Sequence, residues 1–78
     1  MTDLKETLYG IARAIVDNPD EVSVIENGGE KEVKLILSVA ESDMGMVIGK
    51  GGKIAKAIRT VMRAAANAVN KEVNVSIK

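Results

Sequence analysis

The chain contains no cysteine, histidine, tryptophan or phenylalanine, and each absence excludes a class of protein chemistry. Without cysteine and histidine there are no disulfide bonds, thiol nucleophiles, zinc knuckles or imidazole bases, so most hydrolase mechanisms are excluded. The lack of cysteine also fits a reducing compartment, and we expect a cytoplasmic protein. Tyr9 is the single aromatic residue, which excludes a sheet that stacks RNA bases on Phe or Tyr side chains.

Length and hydropathy predict one domain without a membrane span. The 78 residues are too few for a second core, and no apolar run approaches the roughly 20 residues that cross a bilayer. The first residues lack the basic and apolar pattern of a secretory signal. We therefore expect a single domain over 1–78 that does not associate with a membrane.

The net charge of zero conceals an uneven distribution. The chain has 11 basic and 11 acidic side chains, and this balance argues at first against a nucleic-acid ligand. Residues 1–43, however, hold ten acidic and four basic side chains, whereas residues 44–78 hold seven basic side chains and one acidic side chain. The two parts therefore carry −6 and +6. A basic surface confined to the second part predicts weak, salt-sensitive binding of an anionic partner.

The first half predicts a helix followed by a β-hairpin. Apolar residues three and four apart indicate one buried helix face, formed by Leu4, Leu8, Ile11 and Ile15. Thr2 or Asp3 is placed to cap the start of this helix, and Pro19 ends it because the residue before a proline disfavours helical geometry. The elements predicted next are a strand over 21–26, a glycine turn over 27–29 and an alternating strand over 33–39.

The second half predicts two helices around a glycine loop, and then a strand over 73–77. Ser42 and Asp43 supply an acceptor and a negative charge at the start of a very short helix over 43–48. A long helix follows from about Lys53 to Asn70, and its predicted buried stripe is Ile54, Ile58, Val61, Ala65 and Val69. The order α-β-β-α-α-β predicts an α+β domain in which three helices cover one face of a three-stranded sheet.

The loop Gly49-Lys50-Gly51-Gly52 between these helices predicts an anion site. Its three glycines leave almost no side-chain bulk, so another backbone can approach closely. Free amides and the positive dipole end of the long helix point into the same space. Lys50 and Lys53 add two cations. Together these groups suit a phosphate.

Neither common nucleotide-binding pattern fits this loop. A Walker A loop counted from Gly45 needs a second glycine where Lys50 stands, and a Rossmann fingerprint counted from Gly49 needs a third glycine where Ile54 stands. The alternative is a purely structural turn between two helices. Such a turn would need only one or two residues with positive φ.

The segment Val47-Ile48-Gly49-Lys50-Gly51-Gly52-Lys53-Ile54 resembles the V-I-G-x-x-G-x-x-I signature of KH domains, which bind single-stranded RNA and DNA. The element order is similar to the type II, bacterial arrangement. The resemblance covers nearly the whole chain, and it looks most like the small stand-alone bacterial KH proteins of the KhpA kind. It therefore implies a single type II KH domain over 1–78.

The resemblance also implies the site. Gly49, Lys50, Gly51 and Gly52 would clamp the backbone of about four nucleotides of single-stranded RNA, with the bases in an aliphatic groove beside the loop. The signature assigns Ile48 and Ile54 to its apolar positions, and the alternative for both is simple burial in the core. Gly51 stands where the family commonly has a side chain, which leaves Lys50 as the one charge that the loop contributes.

Two features of the long helix leave alternatives open. Lys53, Lys56, Arg59 and Arg63 share one sector, which is either an auxiliary track for phosphates or an ordinary solvated face. The many alanines are either helix-favouring filler or a second packed surface for a dimer. The resemblance implies self-association, or pairing with a larger KH-containing protein of the Jag (KhpB) kind.

The leading hypothesis is therefore a non-catalytic single-stranded RNA-binding module, an RNA chaperone or post-transcriptional regulator without cofactor or metal. A protein-protein adaptor that acts through dimerisation on the alanine-rich helix, with a purely structural loop, is the alternative. An enzyme is the third possibility, but its chemistry would depend on carboxylates such as Glu41 or Asp43, and no second group is placed to pair with either.

Overall fold

The computed structural model describes residues 3–78 and has the predicted order of elements. Three one-turn 3-10 segments, at Pro19–Glu21, Glu41–Asp43 and Lys50–Gly52, connect the main elements. No helix within 3–78 combines the length and the apolar character needed to cross a membrane. The helices and strands are α1 (Leu4–Ile15), β1 (Ser23–Gly28), β2 (Glu32–Ser38), α2 (Met44–Ile48), α3 (Lys53–Ala68) and β3 (Glu72–Ile77).

Asp3 caps α1, which confirms one of the two predicted capping residues. Its Oδ1 accepts hydrogen bonds from the backbone N–H groups of Lys5 (3.1 Å) and Glu6 (3.3 Å), which satisfies amides that have no partner inside the helix. Thr2, the other candidate, lies outside the described residues. The predicted stripe of α1 faces the core, with Leu4 and Leu8 buried and Ile11 and Ile15 partly buried.

The first strand begins later than the predicted 21–26. Pro19 starts a 3-10 turn instead, in which the N–H of Glu21 donates to the carbonyl of Asn18 at 3.0 Å and the N–H of Val22 donates to that of Pro19 at 3.2 Å. These bonds use the backbone that a strand would need for its ladder, so pairing is delayed until the turn has closed.

The hairpin turn also lies further along the chain than the predicted 27–29. Gly28 is still paired with Val33 at the end of β1, and the N–H of Gly29 closes the reversal by donating to the carbonyl of Glu32 at 2.9 Å. Gly28 has a φ of 144°, a value that favours glycine. Of the three residues predicted to supply the positive φ of the turn, only Gly28 has one, and it belongs to β1.

The three helices pack on one face of a three-stranded sheet, as predicted. β2 lies in the centre, antiparallel to β1 and parallel to β3. The parallel pair requires a crossover, and α2, the glycine loop and α3 together provide it. The sheet contributes Val24, Val33, Leu35, Leu37 and Val75 to the buried core.

The buried face of α3 differs from the predicted stripe. Ile58 is buried as predicted, but Ile54 and Val61 are 38% and 50% exposed. The observed face is rotated from the predicted one by about 60°. The prediction followed the bulkiest apolar residues, whereas the sheet-facing side includes alanines, which let the helix approach closely. The buried residues of α3 are Ala55, Ile58, Met62 and Ala66.

We expect Met62→Ala and Val61→Ala to differ strongly in stability. Met62 is fully buried, so its truncation should lower the free energy of unfolding by about 2–4 kcal/mol through lost contacts and a cavity. Val61→Ala should change the free energy of unfolding of the monomer by less than about 0.5 kcal/mol. Urea denaturation in dilute solution measures both, and equal losses would show that the assigned face of α3 is wrong.

Candidate nucleic-acid interface

Three glycines with positive φ make the turn between α2 and α3. Gly49 ends α2 with φ 75° and ψ 172°, and after Lys50 the next two residues, Gly51 and Gly52, have φ values of 65° and 79°. We expected a purely structural turn to need one or two such residues, and that expectation is wrong. The conformation of the turn alone accounts for all three glycines, so the glycines by themselves do not indicate an anion site.

Gly49 and Gly51 are required for different reasons. A Cβ on Gly49 would clash with Cγ1 of Ile54 and would lie 2.8 Å from its Cβ and 2.9 Å from its backbone nitrogen. A Cβ on Gly51 or Gly52 would meet no atom within 4 Å. Only the positive φ restricts these two positions, and their outer surface is open to a ligand.

The four backbone amides of the loop differ in their hydrogen bonding. The N–H of Gly49 donates to the carbonyl of Gly45 at 2.8 Å, and the N–H of Gly52 donates to that of Gly49 at 3.2 Å. The N–H groups of Lys50 and Gly51 donate to no acceptor within residues 3–78. They lie immediately before α3, where the helix dipole favours negative charge.

The start of α3 adds positive charge to these amides. The Ncap residue of α3 is Gly52, which has no side chain to accept from the first helical N–H groups. Lys50 and Lys53 are both exposed at this end. Unpartnered amides, a dipole end and two ammonium groups together can hold a phosphate oxygen.

Three apolar side chains near the loop are exposed, although Met46 and Ile48 lie about 160° apart around α2 and do not share a surface. Met46, Ile48 and Ile54 are 42%, 39% and 38% exposed, so the alternative that the two isoleucines are core residues is wrong. The exposure of Met46 was not predicted, although its position next to Val47 could have indicated it. Val47 is fully buried, and its neighbours on a helix are rotated by about 100° to either side, toward solvent.

The signature also needs a correction at its last position. Counted from Gly52, the third residue is Ala55, which is buried at 5% exposure, whereas Ile54 stands one residue earlier. Ala55 therefore fills the core position of the motif. Ile54 instead lies against the backbone of Gly49, where it supports the turn from outside.

The basic sector of α3 is exposed, and one member has a partner. Lys53, Lys56, Arg59 and Arg63 are all exposed. The Nε–H of Arg59 donates to the carbonyl of Val75 on β3 at 3.2 Å. Because β3 is at the edge of the sheet, this bond covers part of an open edge and orients the guanidinium. Arg59 is thus held against β3.

Asp43 stands directly before α2, as predicted, but its side chain does not cap the helix. Its carboxylate makes no capping bond to α2 and is 1% exposed. It accepts hydrogen bonds instead from Asp17 and Asn18, which follow α1. Within residues 3–78 no group of three acidic side chains is placed to hold a metal ion.

We expect Gly49→Ala to be far more destabilising than Gly51→Ala. The first change combines the clash with Ile54 and a strained φ, and should lower the free energy of unfolding by about 2–4 kcal/mol. The second meets open space and should cost about 1 kcal/mol from its φ alone. Thermal and urea denaturation measure both changes, and a mild Gly49→Ala would contradict the contact.

Comparison with known proteins agrees with this geometry. A family model described as "KhpA/KhpB, KH domain" matches residues 5–77. A relative in Clostridium acetobutylicum, named "RNA-binding protein KhpA", is 57% identical over 74 residues that cover 95% of this chain and 99% of the relative. Proteins of the same name in Bacillus subtilis and Aquifex aeolicus are 43% and 42% identical, each across 99% of this chain and 98% of the relative.

These relatives are named as binding proteins and not as enzymes, in agreement with the expectation that the chain is not an enzyme. The residues that match the family model include both helices around the glycine loop and the whole sheet. The chain therefore belongs to the KhpA/KhpB family of KH domains.

Proposed function

We propose that the chain binds single-stranded RNA in the cytoplasm, without catalysis, and that the loop 49–52 clamps the phosphate backbone. The observation that carries this proposal is the pair of unpartnered amides at Lys50 and Gly51, next to the exposed ammonium groups of Lys50 and Lys53. The names of the relatives support RNA as the ligand. Such a module would serve as an RNA chaperone or a post-transcriptional regulator.

Phosphate oxygens would accept hydrogen bonds from the two amides. Both are neutral donors held by the backbone, so they lose little conformational entropy on binding. The open space at Gly51 and Gly52 lets the sugar-phosphate chain approach to within contact of the backbone. The lysines contribute at longer range and make the binding depend on salt.

The bases would lie beside the loop, on Ile48 and Ile54. These side chains are partly exposed beside the loop and bury area against any of the four bases. Without an aromatic platform there is no base stacking of the kind that strengthens other RNA-binding sheets. We therefore expect modest sequence preference.

The basic sector of α3 would extend the electrostatic contact. Lys56, Arg59 and Arg63 lie within about 60° of one another on the helix, and no acidic residue occurs between Met44 and Lys71. The guanidinium of Arg59 is already oriented by Val75, so it would pay little entropy to bind a phosphate or a base edge.

An exposed apolar stripe on α3 supports a second proposal, that the chain pairs with another KH domain. The stripe occupies an arc of about 80°, centred about 150° from Lys56, Arg59 and Arg63. Binding there would leave the loop amides and these three basic side chains free, although it would cover Ile54. The partner would be a second copy of this chain or a larger KH-containing protein of the Jag/KhpB kind. The stripe consists of Ile54, Ala57, Val61, Ala64 and Ala68, all exposed.

The double variant Lys50→Asp with Gly51→Asp should abolish RNA binding, with a loss of at least about 100-fold, or ~2.7 kcal/mol. It places two carboxylates where the phosphate would bind. The fold should persist, because position 51 is open and aspartate tolerates its φ of 65° at modest cost. Fluorescence anisotropy with a single-stranded RNA measures affinity, and circular dichroism measures folding.

A matched control is Lys5→Asp with Gly10→Asp on α1, which makes the same charge change at two exposed positions. It should bind RNA nearly as well as the wild type. The wild type should also show a slope of log K against log salt of roughly −2 to −3.5, as three to five phosphate contacts require. Undiminished binding by the loop variant, or a flat salt response, would refute the clamp.

For the pairing surface, Val61→Glu should weaken self-association at least about tenfold, because it buries a carboxylate in an apolar contact. Thr60→Glu is the control, since it adds the same charge at the neighbouring exposed position outside the stripe. Sedimentation velocity over a concentration series measures both variants. A chain that remains monomeric at all concentrations, or equal effects of the two variants, would count against the stripe.

A further inference from the structure

Asp43 is the one charged side chain that is buried within residues 3–78, with 1% exposure. Burying a carboxylate is costly unless donors replace its water. Three N–H groups do so here. Oδ1 accepts from the backbone of Asp17 at 3.3 Å, and Oδ2 accepts from the backbone of Asn18 at 3.0 Å and from its Nδ2 at 3.1 Å. A residue retained at such cost calls for a specific role.

The donors belong to a rigid segment directly after α1, which is far from Asp43 in the sequence. Asn18 is 25 residues from Asp43 and precedes Pro19, whose ring limits the backbone on both sides of the peptide bond. The carbonyl of Asn18 accepts from Glu21 at 3.0 Å, and its Nδ2 also donates to Oγ of Ser42 at 3.4 Å. The segment after α1 is thus a fixed support.

What Asp43 holds in place is α2. This helix has five residues, too few to be stable by itself. It is anchored on the apolar side by Val47, which is fully buried, and on the polar side by the Asp43 carboxylate directly before it. This helix also packs on α1 and α3, and the bonds of Asp43 add a polar attachment at the end of α2 that is away from the glycine loop. Gly49 follows α2 immediately, so the orientation of α2 sets the orientation of the loop.

We propose that Asp43 is a positioning residue for the glycine loop. By fastening the start of α2 to the segment after α1, it holds the amides of Lys50 and Gly51 in the direction that a phosphate requires. This inference rests on the proposed function of the loop. Asp43 itself, being buried, touches no RNA.

The test is Asp43→Asn, which keeps the size of the side chain but replaces one acceptor oxygen with an NH2 group that faces the N–H donors. In the folded free protein we expect the amide chemical shifts of 49–53 to change, measured by two-dimensional 15N NMR. Affinity for a single-stranded RNA should fall about tenfold. Asn18→Ala removes the Nδ2 bonds to Asp43 and Ser42 but keeps both backbone donors, so it should change the same signals less and lower affinity about threefold.

Val24→Ala separates positioning from general stability. Val24 is buried in β1, which packs on α1 and β2. This variant should lower the melting temperature to a degree comparable with Asn18→Ala, yet leave the loop shifts and the RNA affinity of the folded protein unchanged. If it lowers affinity as much as Asn18→Ala at equal loss of melting temperature, Asp43 contributes stability alone and the proposal is overturned.

Two further outcomes are decisive. Unchanged loop shifts with affinity within twofold of the wild type, in Asp43→Asn or, if that variant does not fold, in Asn18→Ala, would overturn the proposal. If the wild type binds no RNA, the proposed function fails by itself. The loop shifts of the free variants then still decide whether Asp43 orients the loop, because that measurement uses no RNA.

Discussion

The contact between Ile54 and the backbone of Gly49 is the constraint on which the turn between α2 and α3 depends. Side-chain atoms of Ile54 occupy the volume that a Cβ at position 49 would need, so the two helices can meet at this angle only if position 49 is glycine. The N–H groups of Lys50 and Gly51, which donate to no acceptor within residues 3–78, follow Gly49 directly and precede a 16-residue helix.

The same helix separates three tasks by angle. One side is buried in the core through residues such as Ile58 and Met62, a second side carries the basic sector, and a third carries the exposed apolar stripe. A helix of 3.6 residues per turn can hold three such sectors without conflict. The arrangement explains how a chain of 78 residues with zero net charge can present a basic surface and an apolar surface at once.

Much of the fold and of the loop could be predicted from local pattern. The order of elements, the single layer of helices, the glycine turn and the exposed lysines all follow from periodicity, positive-φ residues and charge within short windows. The start of β1 could not be placed, because Pro19 initiates a 3-10 turn that competes with the strand. The buried face of α3 was predicted wrongly, because α3 has two neighbouring apolar arcs and the prediction chose the arc with the bulkier side chains.

The α+β class and the bare loop flanked by lysines were predictable from the sequence, because those properties arise from neighbouring residues. The arc of α3 that is buried, the bond from Arg59 to Val75 and the bonds to the carboxylate of Asp43 are visible only in the folded chain. The last two join groups that are 16 and 25 residues apart. Whether an apolar or polar side chain finds such a partner is a matter of packing in three dimensions, which no local pattern encodes.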